Sequence, residues 1–449
     1  MTNSTTGSPV EMRDPNVTPP MGQAIPLGIQ HVLAMFASNV TPSVIVAGAA
    51  GLAFGSAEQV YLIQMAMLFA GIATLFQTIG IGPIGARLPI MQGTSFAFVG
   101  VLAGISATQG LGVALTACLI GGIIHFILGG FIKHLRFMFP PLVTGLVILA
   151  IGLYLIPVAI KYAAGGAANF QMEAASFGSM MHWFAALTVV VVSLLCKFMG
   201  RGLVSSAAIL IGLVAGYVVA WAQGMVNFGA VAKAGFFQIP TAFPYGFEFS
   251  LAAVFGVTLV SIVSAIETVG DTSATTKAGA GRDATDEEVS GATYADGLGT
   301  AVAAVFGGLP NTSFSQNVGI VGMTGIMSRH VVTIAGIIMI VCGLIPKVGA
   351  LIASMPLPVL GGGVIVMFGM VAAAGMNMLS TVQMSRRNMI IISVSLAVGL
   401  GLNLVPSAVQ YLPGIWKTLA TSAVAPTAVL AVVLNLVLPE EIGRASCRE

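Results

Sequence analysis

The chain has 449 residues, of which 57% are hydrophobic and only 7% are charged, and its mean hydropathy is +0.99. This composition excludes a water-soluble globular protein and indicates a protein that resides in a lipid bilayer. The net charge of +2 gives no reason to expect a nucleic-acid partner.

Apolar segments follow one another along most of the chain. Windows of roughly 20 apolar residues predict about fourteen membrane-spanning helices, because that length crosses the hydrocarbon core. The predicted spans begin near Leu27, Gln59, Ser95, Val113, Leu142, Phe184, Ser205, Leu251, Ala292, Phe314, Val331, Pro358, Met389 and Ala420. We therefore expect an all-α polytopic membrane protein.

The two ends of the chain differ from this apolar region. Residues 1–24 are polar, carry no signal-peptide pattern and are predicted to form an N-terminal tail. Residues 441–449, which include the letters GRASCRE, break with the preceding sequence and are interpreted as a cloning tail. With the N-terminus inside, most Lys and Arg fall in loops on the same side, whereas Lys161, Lys233, Lys347 and Lys417 fall outside. The positive-inside rule then predicts that both termini are cytoplasmic.

Two pairs of similar segments indicate an internal repeat. The letters TSF occur at 94–96 and again at 312–314, and the pattern P-x3-G-x-V-I-x3-G occurs at 141–152 and 358–369. The offsets of 218 and 217 residues are nearly equal, which favours a duplicated unit over coincidence. Each unit would hold about seven spans, and an odd number forces the second unit to enter the membrane from the opposite face. Such an inverted repeat is typical of secondary transporters.

The two TSF segments lie in the predicted third and tenth spans. The second of them, within Gly307–Gly325, is rich in glycine, small polar residues and amides, unlike a lipid-facing helix. Irregular backbone at membrane depth is tolerated only where protein or a cavity satisfies its polar groups, so discontinuous spans around a binding site are predicted. The alternative is a glycine-rich packing surface between close helices.

Three acidic residues are predicted to lie within the membrane: Glu267, Asp271 and Asp296. A carboxylate at membrane depth is costly and usually functional, and a buried pair of acids could exchange protons near neutrality. Glu267 and Asp271 are four residues apart and thus share a helical face. The alternatives are a structural anchor for Glu267, a brace of the broken spans for Asp271, and a helix-start contact for Asp296.

Two further side chains near these segments are candidates for the site. His31, within the first span, could bond to a broken span or relay protons, or it could be a satisfied core histidine. Phe96 could stack on a planar ring, or it could be an ordinary core residue. The four cysteines form no disulfide or metal-binding pattern, and we predict no metal site and no cofactor.

Three motifs resemble those of the nucleobase-ascorbate transporters, also called nucleobase:cation symporters of the second type. QNVGIVGMTG at Gln316–Gly325 fits the signature [QEP]-N-x-G-x4-T-[RKG], QGTSFAF at Gln92–Phe98 fits the third-span motif, and ETVGD at Glu267–Asp271 fits the eighth-span motif E-x3-D. His31 in QHVLAMF matches the first-span histidine of many members. The resemblance extends over the whole membrane region.

The resemblance implies fourteen spans in two inverted repeats of seven, with short antiparallel β-strands in the third and tenth spans. The first four spans of each repeat would form a core domain, and the other three a gate domain that also builds a homodimer. The implied segments are a tail at 1–24, core at 25–136, gate at 137–225, core at 226–353, gate at 354–440 and the cloning tail at 441–449.

The resemblance also implies a substrate site. Glu267 would accept hydrogen bonds from ring N–H groups, and the amide of Gln316 would pair with a ring carbonyl and N–H. Phe96 would stack on the base, and backbone N–H groups near Ser95 and Phe314 would complete the site. Asn317 would hold the strand pair. The remaining implied positions are Gly319, Thr324 and His31 as support, and Glu267, Asp271 and Asp296 in proton coupling.

The implied function is proton-coupled uptake of an oxidised purine, xanthine or urate, by a bacterial cell-membrane permease. Gln316 and Asp271 resemble the purine branch, whereas uracil-type members usually have glutamate and histidine there; Ser95 weakens that assignment, because the similar xanthine carriers often have asparagine. Uracil, guanine or hypoxanthine remain alternatives, as does sodium as the coupling ion.

Two other classes of protein are less well supported by the residues. An anion exchanger of the same fold would face repulsion from Glu267, and no Lys or Arg is predicted in the helices of the site. An enzyme would need a nucleophile with a base, or metal ligands, and neither HExxH nor GxSxG occurs. We therefore predict a transporter and not an enzyme.

Overall fold

The structure is a computed structural model that describes residues 13–166, 169, 170, 172 and 174–439. The predicted cloning tail 441–449 and residues 1–12 of the predicted N-terminal tail lie outside the described residues. The first helix begins at Met21, inside that predicted tail. The preceding segment is bound to the protein, because the backbone N–H of Arg329 donates to the carbonyl of Pro15 and the hydroxyl of Ser328 donates to that of Val17.

The apolar runs of the first half form helices that end mostly at glycine or at polar loops. They are α1 (Met21–Ala49), α2 (Ala57–Ile79), β1 (Gln92–Thr94), α3 (Val99–Gln109), α4 (Leu111–Leu135), α5 (Pro141–Ala163), α6 (Met180–Met199), α7 (Leu203–Ser206), α8 (Ala208–Ala222) and α9 (Gly229–Lys233). Ser56 and Ser179 cap α2 and α6, where their hydroxyls accept from backbone N–H groups of the first turn.

The second half repeats this pattern of long and interrupted helices. Its elements are α10 (Leu251–Ala280), α11 (Asp286–Val305), β2 (Asn311–Ser313), α12 (Ser315–Thr324), α13 (Arg329–Leu344), α14 (Pro346–Ala353), α15 (Leu357–Ser380), α16 (Arg386–Leu404), α17 (Gly414–Ala420) and α18 (Val424–Val437). The predicted ninth span, placed near Ala292, starts earlier at Asp286. The first turn of this helix is acidic, and Thr285 and Glu288 form a capping box at its start. A window that searches for apolar residues leaves out such an acidic turn, so the predicted start was too late.

Within the described residues, eight helices are long and apolar enough to cross a bilayer, or nine if α13 and α14, bent by 80°, form one span. Three shorter apolar helices, α3, α8 and α18, accompany them. The fold is thus the predicted all-α polytopic membrane architecture with one small sheet. The count of fourteen spans remains a prediction, because several predicted spans are divided between short elements.

Helix packing is reciprocal between the two halves of the chain. α4 packs along α11, and α2 packs along α13, which are the fourth and ninth, and the second and eleventh, predicted spans. α5 packs along its predicted counterpart α15, while α6 pairs with α8 and α16 with α18. A twofold pseudo-symmetry would produce this pattern, which supports the predicted repeat. The division into core and gate domains also remains a prediction.

The strands β1 and β2 confirm the predicted interruption of the third and tenth spans. They pair antiparallel, with Gln92 opposite Ser313, Gly93 opposite Thr312 and Thr94 opposite Asn311. Hydroxyls from neighbouring helices extend the pairing: Thr74 accepts from the backbone N–H of Gln92 at 2.9 Å, and Thr300 accepts from that of Asn311 at 3.0 Å. The broken spans therefore satisfy their backbone within the protein.

Gly93 lies where β1 and β2 approach neighbouring side chains most closely. A β-carbon at this position would lie 2.7 Å from the Met35 methyl and 2.8 Å from the Asn39 amide oxygen, and closer still to the ring of Phe314. The Asn39 side chain cannot move away without losing hydrogen bonds, because its Oδ1 accepts from Thr94 and its Nδ2 donates to the carbonyl of Ala66. Only glycine fits at this position without a shift of the surrounding residues.

Gly93→Ala is expected to destabilise the protein by about 1–3 kcal/mol, the usual cost of overpacking. The measurement is the thermal unfolding midpoint of the detergent-purified protein. Gly319→Ala is the matched control, because Gly319 also lies in an interrupted span but a β-carbon there would meet open space. Equal midpoints for the two variants would contradict the packing described for β1.

Candidate functional site

A cavity of about 450 Å³ lies beside the paired strands. Helices α5, α6, α8 and α15 line one wall, where Ile148, Ile151, Met370 and Val371 present apolar side chains. The opposite wall comes from α1, α10, α12 and both strands. That wall carries most of the polar side chains, which are Thr94, Glu267, Thr312, Ser313, Ser315 and Gln316. An apolar face opposite a few convergent polar groups is typical of a small-molecule site.

Glu267 and Gln316 are the candidate ligand-binding side chains that the structure brings together in this cavity. Glu267 is half-buried, and its Oε2 atom is buried without a hydrogen-bond partner among the described residues. Gln316, in the first turn of α12, is half-buried and its side-chain amide makes no hydrogen bond to the part of the chain described. A buried oxygen without a partner is costly, so this arrangement suits a ligand that donates hydrogen bonds.

The backbone N–H groups near the strand crossing divide into two sets. The N–H of Ser95 donates to the carbonyl of Pro310, and the N–H of Phe314 donates to the carbonyl of Met91, both within 3.0 Å. These two N–H groups are therefore used to hold the crossing together. The first turn of α12 begins with Ser315 and Gln316, which line the cavity and whose N–H groups have no acceptor within the helix, whereas the N–H of Asn317 donates to the carbonyl of Phe314 at 2.9 Å.

Phe96 lines the cavity, but its ring also contacts the opposite wall. It packs edge to face against Phe368 on α15, with 5.2 Å between the ring centres. The Phe96 ring therefore both lines the cavity and connects its two walls. Phe314 also lines the cavity, whereas Ser95 is buried outside it.

Asp271 lies one turn beyond Glu267 on α10 and is buried behind the cavity wall. Its two carboxylate oxygens accept hydrogen bonds from the hydroxyls of Ser313 and Ser315, each at 2.7 Å. These two serines flank the junction of β2 and α12. Asp271 therefore braces the broken span, which is the structural alternative that the sequence left open.

Asp296 is fully buried between α2, β1 and α10. Its Oδ1 atom accepts from the amides of Gln77 at 3.1 Å and Gln92 at 2.6 Å, and its Oδ2 accepts from the hydroxyl of Thr268. The alternative that Asp296 holds a helix start is wrong, because it lies in the middle of α11. This carboxylate joins four elements behind the cavity and does not line it.

His31 and Asn317 form a second link behind the site. The side-chain amide of Asn317 donates to the carbonyl of His31 at 3.0 Å and lies 3.1 Å from its Nδ1 atom. Asn317 thus ties α12 to α1, while Asn39 holds the strand pair. Gly319 lines the cavity, whereas the hydroxyl of Thr324 donates back to the carbonyl of Ile320 at the far end of α12.

Sequence reasoning missed several residues that the structure assigns to the site. Asn39, Gln77 and Gln92 support it, and their signal was the occurrence of amides within otherwise apolar spans. Lys197, which the sequence places at a loop, lines the cavity from the last turn of α6. The cavity thus has a cation in its lining, although none lies in the helices that the sequence assigned to the site.

Comparison with known proteins agrees with this architecture. The family model Xan_ur_permease, described as a permease family, matches residues 22–408. Uric acid permease PucK of Bacillus subtilis is 37% identical over 92% of this chain and 95% of its own length. The xanthine permease of the same organism is 35% identical over 93% and 94% of the two chains.

A solved structure shows that the fold is shared more widely. The transmembrane domain of the cyanobacterial bicarbonate transporter BicA aligns with a TM-score of 0.61 over 93% of this chain and 98% of that domain, at 14% identity. Such low identity supports the fold alone. The family match and the relatives confirm that the protein is a transporter and not an enzyme. The chain belongs to the Xan_ur_permease family, the nucleobase-ascorbate transporters that its motifs resemble.

Proposed function

We propose that the protein takes up an oxidised purine, xanthine or urate, across the bacterial inner membrane by proton-coupled alternating access. The observation that carries the proposal is that the Oε2 of Glu267 is buried without a hydrogen-bond partner among the described residues, in the cavity that Gln316 also lines. A purine with two or more oxo groups presents ring N–H donors and carbonyl acceptors in one plane. A carboxylate and an amide complement these two kinds of group.

The cavity also fits the size and shape of such a substrate. Its volume of about 450 Å³ lies within the range of small-molecule sites, which is roughly 300–1,000 Å³. Phe96 supplies an aromatic face, and Ile148 and Met370 supply an apolar wall against which a flat ring can pack. The names of the two Bacillus subtilis relatives, a uric acid and a xanthine permease, support the same substrate class.

Alternating access is supported by where the cavity opens. Lys197, Met323 and Asn377 line it from the last turns of α6, α12 and α15, and all three are exposed. Arg329 and Arg386 begin the helices that follow α12 and α15, so the positive-inside rule assigns this end to the cytoplasm. On the other side, the contact of Phe96 with Phe368 joins the two walls. This arrangement supports the proposal of a carrier that opens toward the inside in one of its states.

Proton coupling is proposed to act through Glu267. The two other buried acids, Asp271 and Asp296, have both oxygens occupied as acceptors by protein donors. Of these three acids, Glu267 has a buried oxygen without a hydrogen-bond partner in the described part of the chain, and it lines the cavity. Its protonation would therefore be linked to substrate binding most directly.

Glu267→Gln is expected to weaken uptake of radiolabelled xanthine about 10- to 100-fold, since a hydrogen bond to a charged group is worth about 1.5–3 kcal/mol. Uptake is measured in cells that lack their own purine carriers, with urate, guanine and uracil as competitors. Glu58→Gln is the control, because Glu58 lies exposed in the first turn of α2. Uptake of uracil in place of xanthine would reject the purine assignment.

Xanthine uptake is expected to rise with an inward proton gradient and to collapse when a protonophore is added. Replacement of sodium by potassium is expected to leave it unchanged, because protonation of Glu267 supplies the coupling. The measurement uses reconstituted vesicles in which the pH difference and the sodium gradient are set independently. Dependence on sodium without dependence on the pH difference would contradict proton coupling.

A further inference from the structure

The charged side chains of the cavity come from two different helices. Among the described residues that line it, Glu267 and Lys197 are the charged ones. Glu267 comes from the middle of α10, and Lys197 from the last turn of α6. The remaining lining residues are apolar, hydroxyl or amide side chains.

Lys197 is held at the exposed mouth of the cavity. The hydroxyl of Ser205 donates to the Lys197 carbonyl at 3.3 Å, which fixes α7 against the end of α6. Ser206, on the same short helix, accepts from the amide of Gln30 on α1 at 2.6 Å. These two hydrogen bonds connect α7 to both α6 and α1 at the mouth of the cavity. Lys197 forms no ion pair with a carboxylate among the described residues.

We infer that Lys197 determines specificity for the anionic form of the substrate, an inference that rests on the proposed function. Urate is a monoanion at neutral pH, and Glu267 repels an anion in a partly buried cavity. A cation that lines the same cavity offsets this repulsion and raises the local concentration of an anionic purine. Neutral purines gain little from it, so the lysine separates substrates by charge and not by shape.

A second lysine in the same helical position serves as a matched control. A lysine in the last turn of a helix interacts favourably with the helix dipole, and its long stem can reach toward the membrane surface. Lys161 occupies the last turn of α5, where its ammonium lies 4.7 Å from the centre of the Phe170 ring, and it does not line the cavity. A purely anchoring role would be common to both lysines, whereas selection by charge belongs to Lys197.

The test is equilibrium binding of radiolabelled urate and xanthine to the purified protein at a mildly acidic pH, where urate is mostly anionic and xanthine mostly neutral. Lys197→Gln is expected to weaken urate binding roughly three- to tenfold, because the charge is partly screened by solvent, and to change xanthine binding much less. Lys197→Arg should retain urate binding, and Lys161→Gln should leave both affinities unchanged. Added salt should narrow the difference between wild type and Lys197→Gln.

Two results would overturn the inference while leaving the proposed function intact. One is an equal change, or no change, in urate and xanthine binding for Lys197→Gln. The other is a wild-type protein that binds xanthine but no urate. A wild-type protein that binds neither purine would instead overturn the proposed function itself, and the inference with it.

Discussion

The structure depends on one constraint, that no backbone polar group can be left unsatisfied inside a bilayer. Two spans are interrupted at β1 and β2, and each supplies the hydrogen bonds that the other has lost. The N–H groups of Ser95 and Phe314 extend the exchange beyond the strands, and the hydroxyls of Thr74 and Thr300 complete it from α2 and α11. Because the two breaks satisfy each other, irregular backbone can exist beside the cavity.

The buried polar residues near this crossing differ in their hydrogen bonding: some support the strands, whereas Glu267 lines the cavity. Asp271 and Asp296 accept hydrogen bonds on both oxygens, and Asn39 holds the first strand. Buried polar networks are stable when every member has a partner, and they then fix a unique geometry. Glu267 differs from these two acids, since its Oε2 is buried without a hydrogen-bond partner among the described residues and it lines the cavity. The contrast between the two satisfied acids and Glu267 supports the proposal that a ligand binds at Glu267.

Much of the fold and part of the site could be predicted because their causes are local or periodic. Apolar windows reveal most spans, the repeated TSF letters reveal the paired breaks, and the four-residue spacing places Glu267 and Asp271 on one helix face. The partners of Asp271 and Asp296 could not be predicted, since they come from residues 42 and 219 positions away along the chain. Lys197 was missed for a similar reason, because a loop-side position says nothing about which cavity a helix end will border.

The sequence by itself determined the membrane environment, the all-α class, the two interrupted spans and the family, because hydropathy, composition and motif spacing are properties of short segments. It also selected Glu267 and Gln316, since polar groups of this kind are costly in a membrane without a function. Only the tertiary structure decided which acid braces the broken span, which acid lines the cavity, and which backbone N–H groups hold the strand crossing together. It alone brought Lys197 and Glu267 to one cavity, because a shared lining results from the packing of helices that are distant in the sequence.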